Sequence, residues 1–238
     1  MSFLNNFYYK LIRYFIYCLF IYYLNSLSVD LNPYSYPGKL AITDSIINNS
    51  IKNYEHDFNS TSNISKFFNF ENFDSVNGLN DSYLVPNLIH YVNLNQQEIS
   101  FAQFLSILSS WKVQKPNGIY LHCNLCEYKG KYWNKLNEIS ELKSILKVEK
   151  IFNFDSHIFK KEPGWIHHKS DVLRIIIIMN FGGIYLDNDV ILINKLDKYR
   201  HFEMCVSWDS DKDGIGNQIL IANKHARLLR AMFDGYRY

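Results

Sequence analysis

The sequence predicts an α/β fold, a mostly parallel sheet with flanking helices, reached through an N-terminal membrane anchor and a polar stem. Two observations lead there. From Tyr83 onward, segments of strand character alternate with segments of helical apolar spacing, which is how a parallel sheet is wired. Further along, Asp187 and Asp189 stand one residue apart between Ile184-Tyr185-Leu186 and Val190-Ile191-Leu192-Ile193. An unpaired carboxylate inside such a run is costly, so the pair asks for a partner or a metal ion.

The elements of the 83–238 domain can be justified in order. Leu84–Leu94 reads as the first strand, entered through Pro86. Ile99–Trp111 carries apolar residues at helical spacing and is stopped by Pro116-Asn117-Gly118. Ile119–Cys123 is a second strand. Lys131–Leu146 reads as one amphipathic helix, with Trp133, Leu136, Ile139, Leu142 and Ile145 as its stripe. A short strand follows near Val148–Phe152. The next stretch, His167–Gly183, holds four consecutive isoleucines that would suit a strand. Ser170 in an N-cap role, Asp171 in the first turn and Gly182-Gly183 past the end instead mark a helix. That helix sets Asp171 and Arg174 on one face, three residues apart. A strand over Ile184–Leu186 then delivers the two aspartates at its carboxyl end, where open α/β sheets bind ligands. Val190–Ile193 reads as a return to buried strand.

The first 82 residues have a different character. Lys10 and Arg13 precede Tyr14–Val29, which contains no charged residue. The stretch is short against the roughly 20 residues of a full span, but tilt or a thin membrane accommodates it. Positive charge on its leading side keeps residues 1–13 cytoplasmic and sends the rest to the lumen. A cleaved signal peptide is the rival reading, and no small-residue cleavage site stands out after Val29. Residues 30–82 are rich in Asn and Ser without a sustained period and read as a flexible stem. Four glycosylation triplets fall there, at Asn48, Asn59, Asn63 and Asn80, and none falls from Tyr83 onward.

Lys and Arg total 25 against 23 Asp and Glu, with no dense basic run, so a nucleic-acid partner is not expected. Cys18 lies in the apolar stretch, leaving Cys123, Cys126 and Cys205. Cys123-Asn124-Leu125-Cys126 has the spacing of a redox or zinc half-motif. Zinc needs a second pair, and only Cys205 remains. One disulfide with a leftover thiol suits an oxidising lumen, with buried reduced thiols as the alternative; the spacing does not choose the partners.

His168–Asn194 resembles the donor-sugar-binding region of the Asp-x-Asp glycosyltransferases. These include the α-mannosyltransferases of the yeast Golgi and animal α-1,4-galactosyl- and α-1,4-N-acetylglucosaminyltransferases. The resemblance rests on Ser-Asp-x-x-Arg followed by Gly-Gly-x-Tyr-x-Asp-x-Asp. Val85–Leu94 resembles the family's first strand, Trp111 its tryptophan after the first helix, and Gly214–Leu229 its helix after the metal site. What this implies is a GT-A nucleotide-diphospho-sugar transferase fold and a metal-dependent, retaining reaction. A hexose or N-acetylhexosamine would pass from a nucleotide sugar, UDP-linked by expectation, to a glycan or glycolipid acceptor. The location implied is the Golgi membrane, single-pass type II, with the catalytic domain lumenal.

The roles implied are specific. Asp189 would coordinate Mn²⁺ or Mg²⁺ directly, and Asp187 would contact the ribose or the ion through water. Asp171 and Arg174 would bind hydroxyls of the transferred sugar, with Asn217 near the donor. His90, Tyr91, Val92 and Asn93 would lie near the nucleoside. No residue is assigned as catalytic for the retaining step; His167 and His168 are candidates for acid–base work, though a structural role suits them better. Family members extend well past the segment resembling Gly214–Leu229, so the domain reads as C-terminally incomplete. Two other readings stand beside the transferase. One is a catalytically inactive, Golgi-anchored relative or scaffold. The other is a haloacid-dehalogenase-type phosphatase, whose Asp-x-Asp wants Thr or Val where Ile191 stands and needs a downstream Lys and acidic pair.

Overall fold

A computed structural model of the chain describes residues 16–17, 73–79, 82–151, 166–210 and 214–236, with side chains at 16–17, 166–168 and 209–210 left aside. Its strands are β1 (Ile16–Tyr17), β2 (Phe73–Asp74), β3 (Gly78–Leu79), β4 (Leu88–Asn93), β5 (Gly118–Cys123), β6 (Leu146–Lys150), β7 (Gly183–Leu186), β8 (Met204–Ser210) and β9 (Gly214–Ala222). The helices are α1 (Phe101–Ser109), α2 (Lys131–Asn137), α3 (Ser140–Ile145), α4 (Ile166–Phe181) and α5 (Arg227–Gly235). One sheet takes the order β1-β8-β9-β7-β4-β5-β6, and β2 and β3 pair separately. The expected α/β architecture is present.

The parallel half of the sheet, β6-β5-β4-β7, comes from the alternating segments the sequence marks. The other half is antiparallel: β9 pairs with β7 on one side and β8 on the other. This corrects the expectation that Gly214–Leu229 is a helix, since only Arg227 onward is helical. Ile219-Leu220-Ile221-Ala222 puts alternate residues into the two cores, a use of period 2 that a strand alone allows. Two further corrections are local. Lys131–Leu146 breaks into α2 and α3 around Ile139, which is extended. Val190–Ile193 is not a strand at all; Ile193 is 73% exposed. Nearby backbone N–H groups there are taken by side chains, Leu192 N–H by Ser109 Oγ and Leu196 N–H by Gln114 Oε1.

The sheet is covered on both faces. α4 and α5 close one side, where Val172–Ile178 and Phe233 meet Val92, Val206 and Leu220. Ile107 of α1, Leu136 of α2 and Leu142 of α3 close the other, against Ile89, Tyr91, Leu121 and Ile184. The isoleucine run is helical because α4 is buried all round from Val172 to Ile178; burial outweighs the weak helix preference of β-branched residues. α4 also begins at Ile166, so Ser170 lies inside it rather than at its N-cap.

Gly182 and Gly183 make the turn from α4 into β7 with φ of +63° and +119°. A Cβ on Gly183 would come within 2.8 Å of the Leu88 carbonyl oxygen and 3.0 Å of His90 Nε2. The pair therefore lets β7 lie close against β4, and a side chain there is excluded by both backbone and space.

Parts of the N-terminal reading lie outside the described residues, including residues 1–13, Asn48, Asn59, Asn63, Asn80 and most of Tyr14–Val29. Ile16 and Tyr17 are extended against β8 where a helical anchor is expected. Among the described residues no helix is long and apolar enough to cross a membrane. The folded part starts before Tyr83: β2 and β3 form a hairpin whose Leu79 N–H binds the His201 carbonyl. Cys123 and Cys126 form a disulfide at the end of β5, and Cys205 is a buried thiol directed at the Tyr199 carbonyl.

His90 and His122 are fully buried between Tyr120 and Phe181. His90 Nε2 binds the Gly182 carbonyl at 3.1 Å, so that nitrogen carries the proton. His90 Nδ1 must then accept from His122 Nε2 at 3.0 Å, which leaves His122 Nδ1 as an acceptor without a hydrogen-bond donor. Burial lowers His90 to about 4 and His122 well below its ordinary value. Burial and neighbouring cations also lower His225 to about 4. Unfolded histidines take up protons as pH falls through about 6.5, while these remain neutral until much lower pH. Stability should thus be full above about pH 6.5 and fall by roughly 1 kcal/mol per pH unit per histidine toward pH 4. Urea unfolding at several pH values measures the slope, and His122→Phe should remove about one histidine's share of it.

Candidate donor-binding site

The site is assembled around Arg174. On α4, one turn separates Arg174 from Ser170, and Asp171 lies between them at i,i+3 spacing. β7 ends at Leu186 and hands Asp187 to the same point, while β9 brings Asn217 from the antiparallel half. Arg174 Nη2 meets Asp171 Oδ1 at 3.0 Å, and Nη1 meets Asp187 Oδ1 at 3.2 Å. Nη1 also donates to the Asn217 carbonyl at 3.0 Å and to its Oδ1 at 2.8 Å. Nε and Nη2 reach Ser170, each at 3.3 Å. The guanidinium is almost wholly buried, and every one of its nitrogens has an acceptor.

Two tyrosines complete the surroundings. Tyr185 lies under the guanidinium, 4.6 Å from ring centroid to Cζ, and its hydroxyl donates to Asp187 Oδ1 at 2.7 Å. Burial pushes its phenol well above the ordinary range, so it acts as a donor. Tyr236, just past α5, is close enough for Asp171 to help burial raise its phenol as well. The Asn217 amide returns a hydrogen bond to Asp171 Oδ1 at 3.1 Å.

Asp187 is pushed above its ordinary value, chiefly by burial, with Asp189 and Asp171 adding to the rise. Arg174 and the Tyr185 hydroxyl pull the other way and do not win. Two carboxylates share one guanidinium and a third, Asp189, lies near Asp187, which leaves local negative charge. Asp189 is exposed at the turn, and the Val190 N–H closes that turn on the Asp187 carbonyl at 3.0 Å. Among the described residues no group of three or more His, Cys, Asp or Glu side chains gathers to hold a metal. The described residues offer Asp187 and Asp189 here, a donor set that suits a hard cation that keeps waters and takes ligand phosphate oxygens.

Asp171, Arg174, Asp187 and Asn217 thus come together, and Asp189 lies two residues beyond Asp187. The four residues expected near the nucleoside, His90, Tyr91, Val92 and Asn93, are all buried. His90 and Tyr91 are fully buried; His90 faces Gly182 and His122, and the Tyr91 hydroxyl meets Ser106. Val92 belongs to the α4-side core. Two of the four reach the carboxylate turn, both through Asn188: Asn93 by its side chain and Val92 by its backbone carbonyl. The side chains of His167 and His168 lie outside the described residues. The sequence marks Tyr185 only by its place two residues before Asp187, a spacing that puts both on one side of an extended chain. Tyr236 carried no sequence signal.

The chain belongs to the glycosyltransferase sugar-binding region family containing the DXD motif, whose model matches residues 42–206. Among curated proteins it is similar to Glucan organizing enzyme 1 of Cryptococcus neoformans var. grubii, 24% identical over 64% of this chain and 44% of that one. It is also similar to human Alpha-1,4-N-acetylglucosaminyltransferase, 37% identical over 24% of this chain and 17% of that one. The chain thus spans less than half the length of either relative. Solved structures with partial likeness include the PaToxG glycosyltransferase, at 17% identity and TM-score 0.39 over 63% of this chain and 59% of that one. The WbbM bifunctional glycosyltransferase matches at 9% identity and TM-score 0.39 over 66% and 34%.

Arg174 separates carboxylates that would otherwise face one another in a half-buried setting. Arg174→Ala should therefore cost about 3–5 kcal/mol of stability, the usual effect of leaving buried charge unpaired. Arg174→Lys should fall between, because an ammonium cannot reach the same set of acceptors. Chemical denaturation of the three proteins checks the order.

Proposed function

We propose that this protein is a metal-dependent, retaining glycosyltransferase. It would transfer a hexose or N-acetylhexosamine from a nucleotide sugar, expected to be UDP-linked, to a glycan or glycolipid acceptor. The observation that carries the reading is the convergence of Asp171, Arg174, Asp187 and Asn217, from α4, the end of β7 and β9, beside the exposed Asp189. Family membership supports the transferase class, and similarity to the human Alpha-1,4-N-acetylglucosaminyltransferase supports an N-acetylhexosamine as the transferred sugar.

Asp187 and Asp189 would hold Mn²⁺ or Mg²⁺. When bound, that ion supplies charge stabilisation for the departing nucleoside diphosphate. The protein's own groups divide the remaining work. Asp171 accepts hydrogen bonds, and its side chain is 27% exposed, enough for a ligand to reach. Asn217 presents an amide at the same place. Arg174, with its donors committed inside the protein, holds Asp171, Asp187 and Asn217 at their working separations, so its part in sugar binding is to arrange these partners. Tyr185 keeps the inner oxygen of Asp187 hydrogen-bonded, which leaves Asp187 Oδ2 for a ligand. The buried β4 side chains leave the backbone at that strand's end as what His90–Asn93 could offer a nucleoside.

Asp189→Asn should remove Mn²⁺-dependent UDP binding while leaving the unfolding midpoint nearly unchanged, because an amide oxygen is a poor ligand for a hard cation. Calorimetric titration measures this, and undiminished binding would sink the metal assignment. Incubation with a panel of sugar nucleotides and Mn²⁺ then tests the class. Turnover supports the transferase, binding without turnover supports an inactive relative, and phosphomonoester turnover supports the phosphatase.

The reading extends to a type II Golgi protein with residues 1–13 cytoplasmic and the domain lumenal, supported by Lys10, Arg13, the uncharged Tyr14–Val29 stretch and the glycosylation triplets before Tyr83. Protein made in eukaryotic cells should then gain gel mobility when N-glycans are stripped. Identical mobility before and after treatment would count against the lumenal placement.

A further inference from the structure

We propose that Asn188, the central residue of Asp187-Asn188-Asp189, is a positioning residue that fixes the two carboxylates for ion and nucleotide binding; this rests on the metal and nucleotide reading above. The turn is clamped from two directions. On the β9 side, Asp187 N–H donates to the Gln218 carbonyl at 2.9 Å. On the β4 side, Asn188 Nδ2 donates to the Val92 carbonyl at 3.2 Å and to Asn93 Oδ1 at 2.9 Å.

A closed set of amides holds Asn188 in that orientation. Gln103 of α1 donates from Nε2 to Asn93 Oδ1 at 2.8 Å and to Asn188 Oδ1 at 3.1 Å. Asn93 Nδ2 in turn donates to the Tyr128 hydroxyl at 2.8 Å. Both protons of Gln103 Nε2 and both of Asn188 Nδ2 are thereby used, so neither amide can rotate without losing bonds. Asn93 is fully buried and Gln103 is 1% exposed. A lost partner would leave a polar group stranded away from water, which makes the arrangement all-or-none.

The consequence falls on the neighbours. With Asn188 turned inward onto β4 and α1, Asp187 is directed to Arg174 and Tyr185, and Asp189 is left at the exposed surface. An apolar residue in place of Asn188 could bury itself there, but it would not specify one orientation of the turn.

The test titrates the full chain with Mn²⁺ and UDP, together and separately, by calorimetry, beside Asn188→Ala, Gln103→Met and the double variant. Gln103→Met keeps volume while deleting both donors, so it serves if Asn188→Ala does not fold. In folded variants, UDP binding without metal should be unchanged, while the Mn²⁺-dependent part weakens about tenfold or more, as when a group orienting a ligand from behind is removed. The double variant should lose less than the sum of the singles, because both act through one network. The electron paramagnetic resonance line shape of bound Mn²⁺ should change as well. Full-strength Mn²⁺-dependent binding in folded Asn188→Ala and Gln103→Met would overturn the positioning role and leave the site reading intact. Equal losses with and without metal would reduce the network to a structural one and overturn it too. Wild-type protein that binds neither Mn²⁺ nor UDP would overturn the site reading, and this proposal with it.

Discussion

The buried guanidinium of Arg174 is the constraint on which the site depends. It ties helix α4 to the end of β7 and to β9 through contacts with Asp171, Asp187 and Asn217. A buried charge of this kind is tolerated only with its hydrogen bonds met, and here each nitrogen finds an acceptor. The same requirement explains why Ser170, in the interior of the helix, turns toward Arg174. The price is paid once and three elements are located by it.

Around that centre the sheet supplies rigidity and the turn carries the two carboxylates. β7 lies between β4 and β9 and is buried throughout, so the last residue before the carboxylates has little freedom. Gly182 and Gly183 permit this by letting β7 approach β4 more closely than any side chain would allow. The segment after the turn then leaves the sheet, held by Ser109 and Gln114 from the α1 region. Carboxylates at the junction of a fixed strand and a tethered loop are preorganised, which is what a site that must not rearrange on binding requires.

The polar groups beneath the turn have a common logic with the histidine pair deeper in the sheet. Both are buried, both are linked in chains, and in both the protonation or orientation of one member dictates the next. Gly182 ties the two regions together: it accepts from His90 and begins the backbone path to Asp187. The Cys123–Cys126 disulfide closes the loop after β5, next to the Asn124–Asn95 contact that joins the ends of β4 and β5.

By itself the sequence determined the parallel strands, the approximate helical segments between them and the glycine turn, because periodicity and turn chemistry are local properties. It also marked Asp171, Arg174, Asp187, Asp189 and Asn217 as candidates, legible as a spaced pattern. Tertiary structure alone decided that Gly214–Ala222 is a strand, since β7 and β8 offer it edges on both sides and no local signal records that. It decided that Lys131–Leu146 breaks and that Val190–Ile193 leaves the sheet, because distant side chains capture the backbone there. It decided that His90 and Tyr91 point into the core, a choice set by which face of β4 meets α4 and which meets α1. It joined Asn93, Gln103 and Asn188 as well, residues far apart in sequence whose amides acquire meaning only where three elements meet.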